Sequence, residues 1–193
     1  MYFITGNKNK FSEVKKHVPS IEMKNIDLPE IQEMDAEKII EEKLEEGIKV
    51  LKEPFIVEDT SLSIKALNNY PGALVKWFVK SLSLEDINNI LFKYEDKKAI
   101  ASTTIGYYDG KQKHFFTGEI KGTIVPRRGE GFGFDPIFQP IGSNKTFGEM
   151  TSEEKNSISH RSKAVKKLKK TLEKKFLLKK NKKKIITYYG QYL

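Results

Sequence analysis

Not one of the 193 residues is cysteine, which excludes a disulfide, a thiolate metal site and a cysteine nucleophile. No apolar run approaches the ~18 residues needed to cross a bilayer. The opening Met1-Tyr2-Phe3-Ile4 reads as a strand, without the basic start and long apolar stretch of a signal peptide. A cytoplasmic protein with no membrane partner is therefore expected. The GxxxxGK[ST] spacing of a P-loop is also missing.

What is present describes a soluble globular chain. Apolar residues make up 38% and charged residues 32%, and the length suits one domain, or two lobes sharing one sheet. The formal charge of +9 invites a nucleic-acid reading, so its location matters. Residues 163–184 hold 12 lysines against the single acid Glu173, while the rest carries 23 basic and 25 acidic residues. The basicity thus belongs to one C-terminal segment. It reads as a solvated helix face followed by an appended tail at 179–193, so nucleic acid is not required. A nucleic-acid-binding role for this segment is the rival from another class. A membrane-surface role is weaker still, because Ile185-Ile186 and Tyr188-Tyr189 are small anchors.

Hydrophobic periodicity orders the elements. A strand at 2–5 stops at Gly6-Asn7, and a helix over 8–18 buries Phe11, Val14 and Val18. A half-buried strand covers 21–26. Asp35 caps a helix to Leu51 whose stripe is Ile40, Leu44, Ile48 and Leu51, with Lys43 at its edge. Residues 55–57 form a short buried strand that ends at Glu58-Asp59. Helices follow at 73–82 and 84–92. Strands at 99–108 and 114–125 pair as a hairpin through Asp109-Gly110. Residues 127–134 are a glycine-rich loop. A last helix begins near Ser159 and carries Val165, Leu168, Leu172 and Phe176. Early strand–helix alternation with a late hairpin gives an α/β class with a mixed rather than purely parallel sheet.

Five segments could carry chemistry. In Thr5-Gly6-Asn7-Lys8-Asn9-Lys10 a strand ends, glycine turns the chain and a helix opens with two lysines. Free N–H groups and ammoniums there suit a polyphosphate, although an ordinary turn reads the same way. Glu30 follows Leu28-Pro29, and Glu58-Asp59 sits at a strand end, where open α/β sheets place ligands. Their hard oxygens suit Mg²⁺ or simple solvation. Gly131-Phe132-Gly133-Phe134-Asp135 offers rings to stack on a base and an acid to address its edge, or else fills the core. Ser159-His160-Arg161 places cationic or donor groups at a helix start, against the dipole, which points to an acceptor-rich ligand or to plain surface.

In this order, Thr5-Gly6-Asn7-x-x-Lys10, Leu28-Pro29-Glu30, Val57-Glu58-Asp59-Thr60, Tyr70-Pro71-Gly72 with Lys76-Trp77-Phe78, Phe132-Gly133-Phe134-Asp135-Pro136 and Glu154-Lys155-Asn156 with Ser159-His160-Arg161 resemble the inosine triphosphate pyrophosphatase (Ham1-like) family. The resemblance runs from Tyr2 to Leu178, so residues 1–178 form the expected enzyme domain. It implies an elongated mixed sheet with flanking helices and two lobes around a central cleft, and a homodimer that cuts ITP, dITP and XTP to the monophosphate and pyrophosphate. It also implies Mg²⁺, or Mn²⁺ in its place, held by Glu30 and Asp59, with Asp59 as general base. Thr5, Gly6, Asn7, Lys8, Asn9 and Lys10 would hold the triphosphate. Lys43, matched through a one-residue gap, would contact substrate, as would Asp59, Thr60 and Lys76. Phe132, Gly133, Phe134, Asp135, Lys155, His160 and Arg161 would hold the base. Phe134 departs from the tryptophan common in close relatives, and Glu130 adds an acid beside the base loop. A Maf-type pyrophosphatase with another base preference is the nearest enzyme alternative.

Overall fold

The structure is a computed structural model that describes residues 1–189; residues 190–193 lie outside the described residues. A seven-stranded mixed sheet runs in the order β2-β1-β3-β5-β6-β7, with β4 also on β3. β1 (Tyr2–Ile4) pairs in parallel with β2 (Glu22–Lys24) and with the first residues of β3 (Phe55–Ile64). β4 (Pro71–Gly72), β5 (Lys98–Tyr108), β6 (Lys113–Ile124) and β7 (Phe138–Pro140) continue antiparallel. The mixed α/β class expected from the pattern is the one observed.

β3 corrects one expectation. It is not a short strand ending at Glu58-Asp59 but a ten-residue strand with the acidic pair in its middle. β5 pairs along its whole length, from Phe55↔Tyr108 to Ile64↔Ala99. On the other edge β1 reaches only to Ile56, and β4 returns only at Leu62. The intervening edge of β3 is therefore open. The cleft forms where β1 stops, and the acids reach it without ending their own strand.

Helices cover both faces. α1 (Lys8–His17) and α6 (His160–Tyr189) bury Val14, Ala164, Val165 and Leu168 against Phe3, Ile56 and Ile105. α2 (Ala36–Val50) buries Ile40 and Leu44 on the other face, against Phe55 and Val57. Its stripe matches the sequence pattern, and Asp35 caps it by accepting from the Glu37 N–H at 2.9 Å. α3 (Val75–Ser81) and α4 (Leu84–Phe92) close the third cluster around Leu62, Ile64 and Phe134.

The pattern did not mark α5 (Ser152–Ile158), which a Thr151/Glu154 capping box opens, nor the short β4 and β7. α6 also runs unbroken through the expected junction at 178–179 to Tyr189. Phe176, the last member of its expected stripe, is outside the described side chains, as are those of the tail. Gly118 lets α6 lie directly on β6: an added Cβ would collide with the His160 carbonyl and the Ala164 nitrogen. Among the described residues no helix is long and apolar enough to cross a membrane.

Candidate active site

The open edge of β3 faces a cavity of about 830 Å³. Because side chains alternate along a strand, the neighbouring acids Glu58 and Asp59 are sent to opposite faces of the sheet. Glu58 meets α1 and α6: Lys10 Nζ lies 2.5 Å from its Oε1, and Arg161 Nε donates to its Oε2 at 2.7 Å. Asp59 meets α2, where Lys43 Nζ is 3.2 Å from its Oδ1 and 3.0 Å from Glu30 Oε2. The two acids therefore do not act as one pair. Asp59 Oδ2 is buried without a hydrogen-bond partner.

These surroundings set the charges. Burial pushes the Asp59 carboxyl up, aided by Glu58 and Glu30, and the Lys43 and Lys10 ammoniums only partly oppose it. Burial works in the same sense on Glu58, but there Arg161 and Lys10 win and hold it well below the usual carboxylate range. Burial lowers Lys43 less than Asp59 and Glu30 raise it, so its ammonium is kept.

At the start of α1, Thr5, Gly6, Asn7 and Lys10 line the cavity, whereas Lys8 and Asn9 face solvent. The helical step explains this correction: residues three apart share a face, and the two between them turn away. The expected free N–H groups are also partly used. Asn7 Oδ1 accepts from the Asn9 and Lys10 N–H groups, both at 3.0 Å.

At the other end, Phe132, Gly133, Phe134, Asp135, His160 and Arg161 line the cavity. Phe134 is buried, with its ring centroid 5.9 Å from that of His160. Asp135 is largely occupied within the protein, since its Oδ2 accepts from Lys155 at 2.6 Å and from the Phe132 N–H at 3.4 Å. Burial raises its carboxyl against the pull of Lys155. Lys155 is not on the cavity wall. Its ammonium is held by Asp135 and by Glu13 at 2.7 Å, and it sits 4.3 Å from the Phe132 ring centre.

Ser159 caps α6 by accepting from the Ser162 N–H at 3.1 Å, which leaves His160 and Arg161 in the first turn, as expected. The inference drawn from the dipole needs correcting, because the chain itself supplies the compensation. Arg161 is bound by Glu58 and Glu13 and donates to Thr60 Oγ1 at 2.9 Å. His160 is uncharged: burial, then Arg161 and Lys155, lower it well below 6.5. Its Nδ1 is buried without a partner.

Sequence reasoning missed Glu13, the acid joining Arg161 to Lys155, and Lys80, a cavity-lining residue one turn after Lys76. Glu13 had a signal: it lies three residues after Lys10, beside the apolar Val14. With Glu13 in place, Lys10, Glu58, Arg161, Glu13, Lys155 and Asp135 alternate in sign from one end of the cavity to the other.

The model of the Ham1 family matches residues 1–171. The inosine triphosphate pyrophosphatase of Schizosaccharomyces pombe is 43% identical over 177 residues, covering 89% of this chain and 94% of its own length. That of Podospora anserina is 46% identical over 172 residues, covering 86% and 90%. The solved Staphylococcus aureus Ham1 protein has a TM-score of 0.79 at 26% identity, covering 90% of this chain and 98% of its own. A Coxiella burnetii HAM1 protein superposes with a TM-score of 0.76, also at 26% identity and with the same coverage. The family model and these relatives each cover most of the chain, and the chain belongs to the Ham1 family.

Proposed function

We propose that this chain hydrolyses the triphosphates of deaminated purine nucleosides, ITP, dITP and XTP, to the monophosphate and pyrophosphate. The observation that carries it is the polarity of the cleft. Lysines and carboxylates gather at one end, and a phenylalanine–glycine loop with an uncharged histidine forms the other, where the charges of Asp135 and Arg161 are already paired within the protein. A triphosphate fits the first end and a flat base the second. The names of the curated relatives favour this over a Maf-type or nucleic-acid-binding role.

The donor set fits Mg²⁺. Glu30 and Asp59 already converge on one cation, the Lys43 ammonium, and Asp59 Oδ2 has no partner. Among the described residues no cluster of three metal-ligating side chains occurs. Two carboxylates, with substrate phosphates and water completing the shell, is the usual arrangement for Mg²⁺. When bound, the ion would neutralise charge on the phosphates being separated. Asp59, with Oδ2 unpartnered, is the group to accept the proton of the attacking water. Lys10, Lys43 and Lys76 supply fixed positive charge, and positioning with electrostatics dominates phosphoryl transfer.

At the base end, Phe132 supplies the stacking face. Uncharged His160 and the uncommitted N–H groups of Arg161 supply donors for the 6-oxo group. Adenine offers an amino group there and leaves such donors unpaired, at a cost of about 1–3 kcal/mol each. Lys155 acts through Asp135 and Phe132 rather than on the base itself. Following the family resemblance, the working form is a homodimer in the cytoplasm; light scattering on the purified protein should give twice the mass of one chain.

The deciding experiment measures pyrophosphate release from ITP, XTP, GTP and ATP with and without Mg²⁺. Release from ITP and XTP, abolished by chelation, is expected. Equal turnover of ATP would defeat the assignment of the base end.

A further inference from the structure

Five cationic side chains line the cleft: Lys10, Lys43, Lys76, Lys80 and Arg161. Three are neutralised by the protein's own carboxylates, Lys10 on Glu58, Lys43 on Glu30 and Asp59, and Arg161 on Glu58 and Glu13. Among the described residues, Lys76 and Lys80 make no ion pair. The wall also carries five carboxylates, so it is formally neutral as a whole. Lys10 and Lys43 thus meet the phosphates already paired, and the positive charge that no carboxylate compensates comes from Lys76 and Lys80. Of these two, the family resemblance supplies Lys76 alone.

The two lysines are four residues apart in α3 and so share one helical face. Both ammoniums approach the ring of Trp77, at 5.2 Å from its centre for Lys76 and 5.5 Å for Lys80. A cation near an indole is attracted to the ring, which restrains an otherwise mobile lysine stem. Both free charges are thus on the cleft wall and restrained by the same ring. The Lys76 charge also helps to depress the Glu30 carboxyl, which places this face of α3 beside the carboxylate end of the cleft.

We infer that Lys80 is a second substrate-binding cation beside Lys76, holding the phosphate-bearing end of the nucleotide. The inference rests on the proposed triphosphate substrate, and its test does not depend on turnover. Inorganic tripolyphosphate is titrated calorimetrically into the full-length protein. Lys80→Ala should weaken binding about 3–20-fold, the effect of a charge-assisted contact discounted for exposure. Lys80→Arg should restore most of it. Lys93→Ala, which removes an exposed lysine outside the cleft, should change it by less than about twofold. With ITP, Lys80→Ala should raise KM by a similar factor and leave kcat nearly unchanged. Unaltered tripolyphosphate affinity in Lys80→Ala, or equal weakening in Lys80→Arg, would overturn the assignment. So would a wild-type protein that binds no tripolyphosphate. If wild type binds tripolyphosphate but releases no pyrophosphate from ITP, the hydrolytic reading fails while the binding comparison still judges Lys80.

Discussion

Arg161 Nε donates to Glu58 Oε2 at 2.7 Å, tying the first turn of α6 to the middle of β3 across 103 residues of sequence. Both side chains are buried, and Glu13 completes the neutralisation. The bond closes the cleft floor and anchors the base end to the phosphate end.

Arg161→Ala leaves the Glu13 and Glu58 carboxylates buried without this partner. Breaking a buried pair from one side costs about 3–5 kcal/mol. For a chain of this size that is a fall in Tm of roughly 6–20 °C. Thermal unfolding checks it. Below the new Tm, kcat/KM for ITP should fall about 10–10³-fold, and ATP activity far less, if Arg161 also serves the base. Equal losses on both substrates would leave Arg161 a structural residue only.

Asp59→Asn keeps the shape of the side chain but removes the charge. It withdraws a metal ligand and the proton acceptor together, so kcat for ITP should drop about 10²-fold or more. Steady-state assays at saturating Mg²⁺ decide this. Near-normal turnover would strip Asp59 of both roles.

His160 gives a pH dependence of definite sign. Its folded-state pKa is lowered from 6.5 by burial, then by Arg161 and Lys155. Below pH 6.5 the unfolded chain takes up a proton that the folded chain refuses, so this contribution to stability is complete above 6.5 and is lost on acidification. One such group removes at most about 1.4 kcal/mol between pH 7.5 and 5.5. His160→Gln should flatten the decline, by up to that amount, in denaturant unfolding at the two pH values. Identical pH dependence in the two proteins would mean that His160 takes up its proton alike in the folded and the unfolded chain.

Gly118→Ala tests how α6 is seated. The new methyl meets backbone atoms of His160 and Ala164, which cannot swing aside as a side chain can. Overpacking of this kind costs about 1–3 kcal/mol. It should also shift the first turn of α6, so KM for ITP should rise with the loss of Tm. A variant as stable as wild type would show that α6 can slide on β6 without cost.

Much of this protein was determined locally. Alternation and helical stripes are properties of neighbouring residues, so β1, α1, α2 and the β5–β6 hairpin were readable from the chain, as was the Asp35 cap. The six motifs identified the family because each carries its own residue types in order. The extent of β3 was not readable, because its pairing depends on β1 ending early and β5 running alongside. That tertiary fact moved Glu58-Asp59 from a strand end to the edge of a split sheet, and the pleat then separated the two acids. The counterion of Arg161 could not be read either: Glu13 and Glu58 lie 148 and 103 residues away, and only folding decides which charges meet. The same holds for Lys76 and Lys80. Their sequence shows two lysines on a short helix, and the structure shows that every other cation on the wall is already taken.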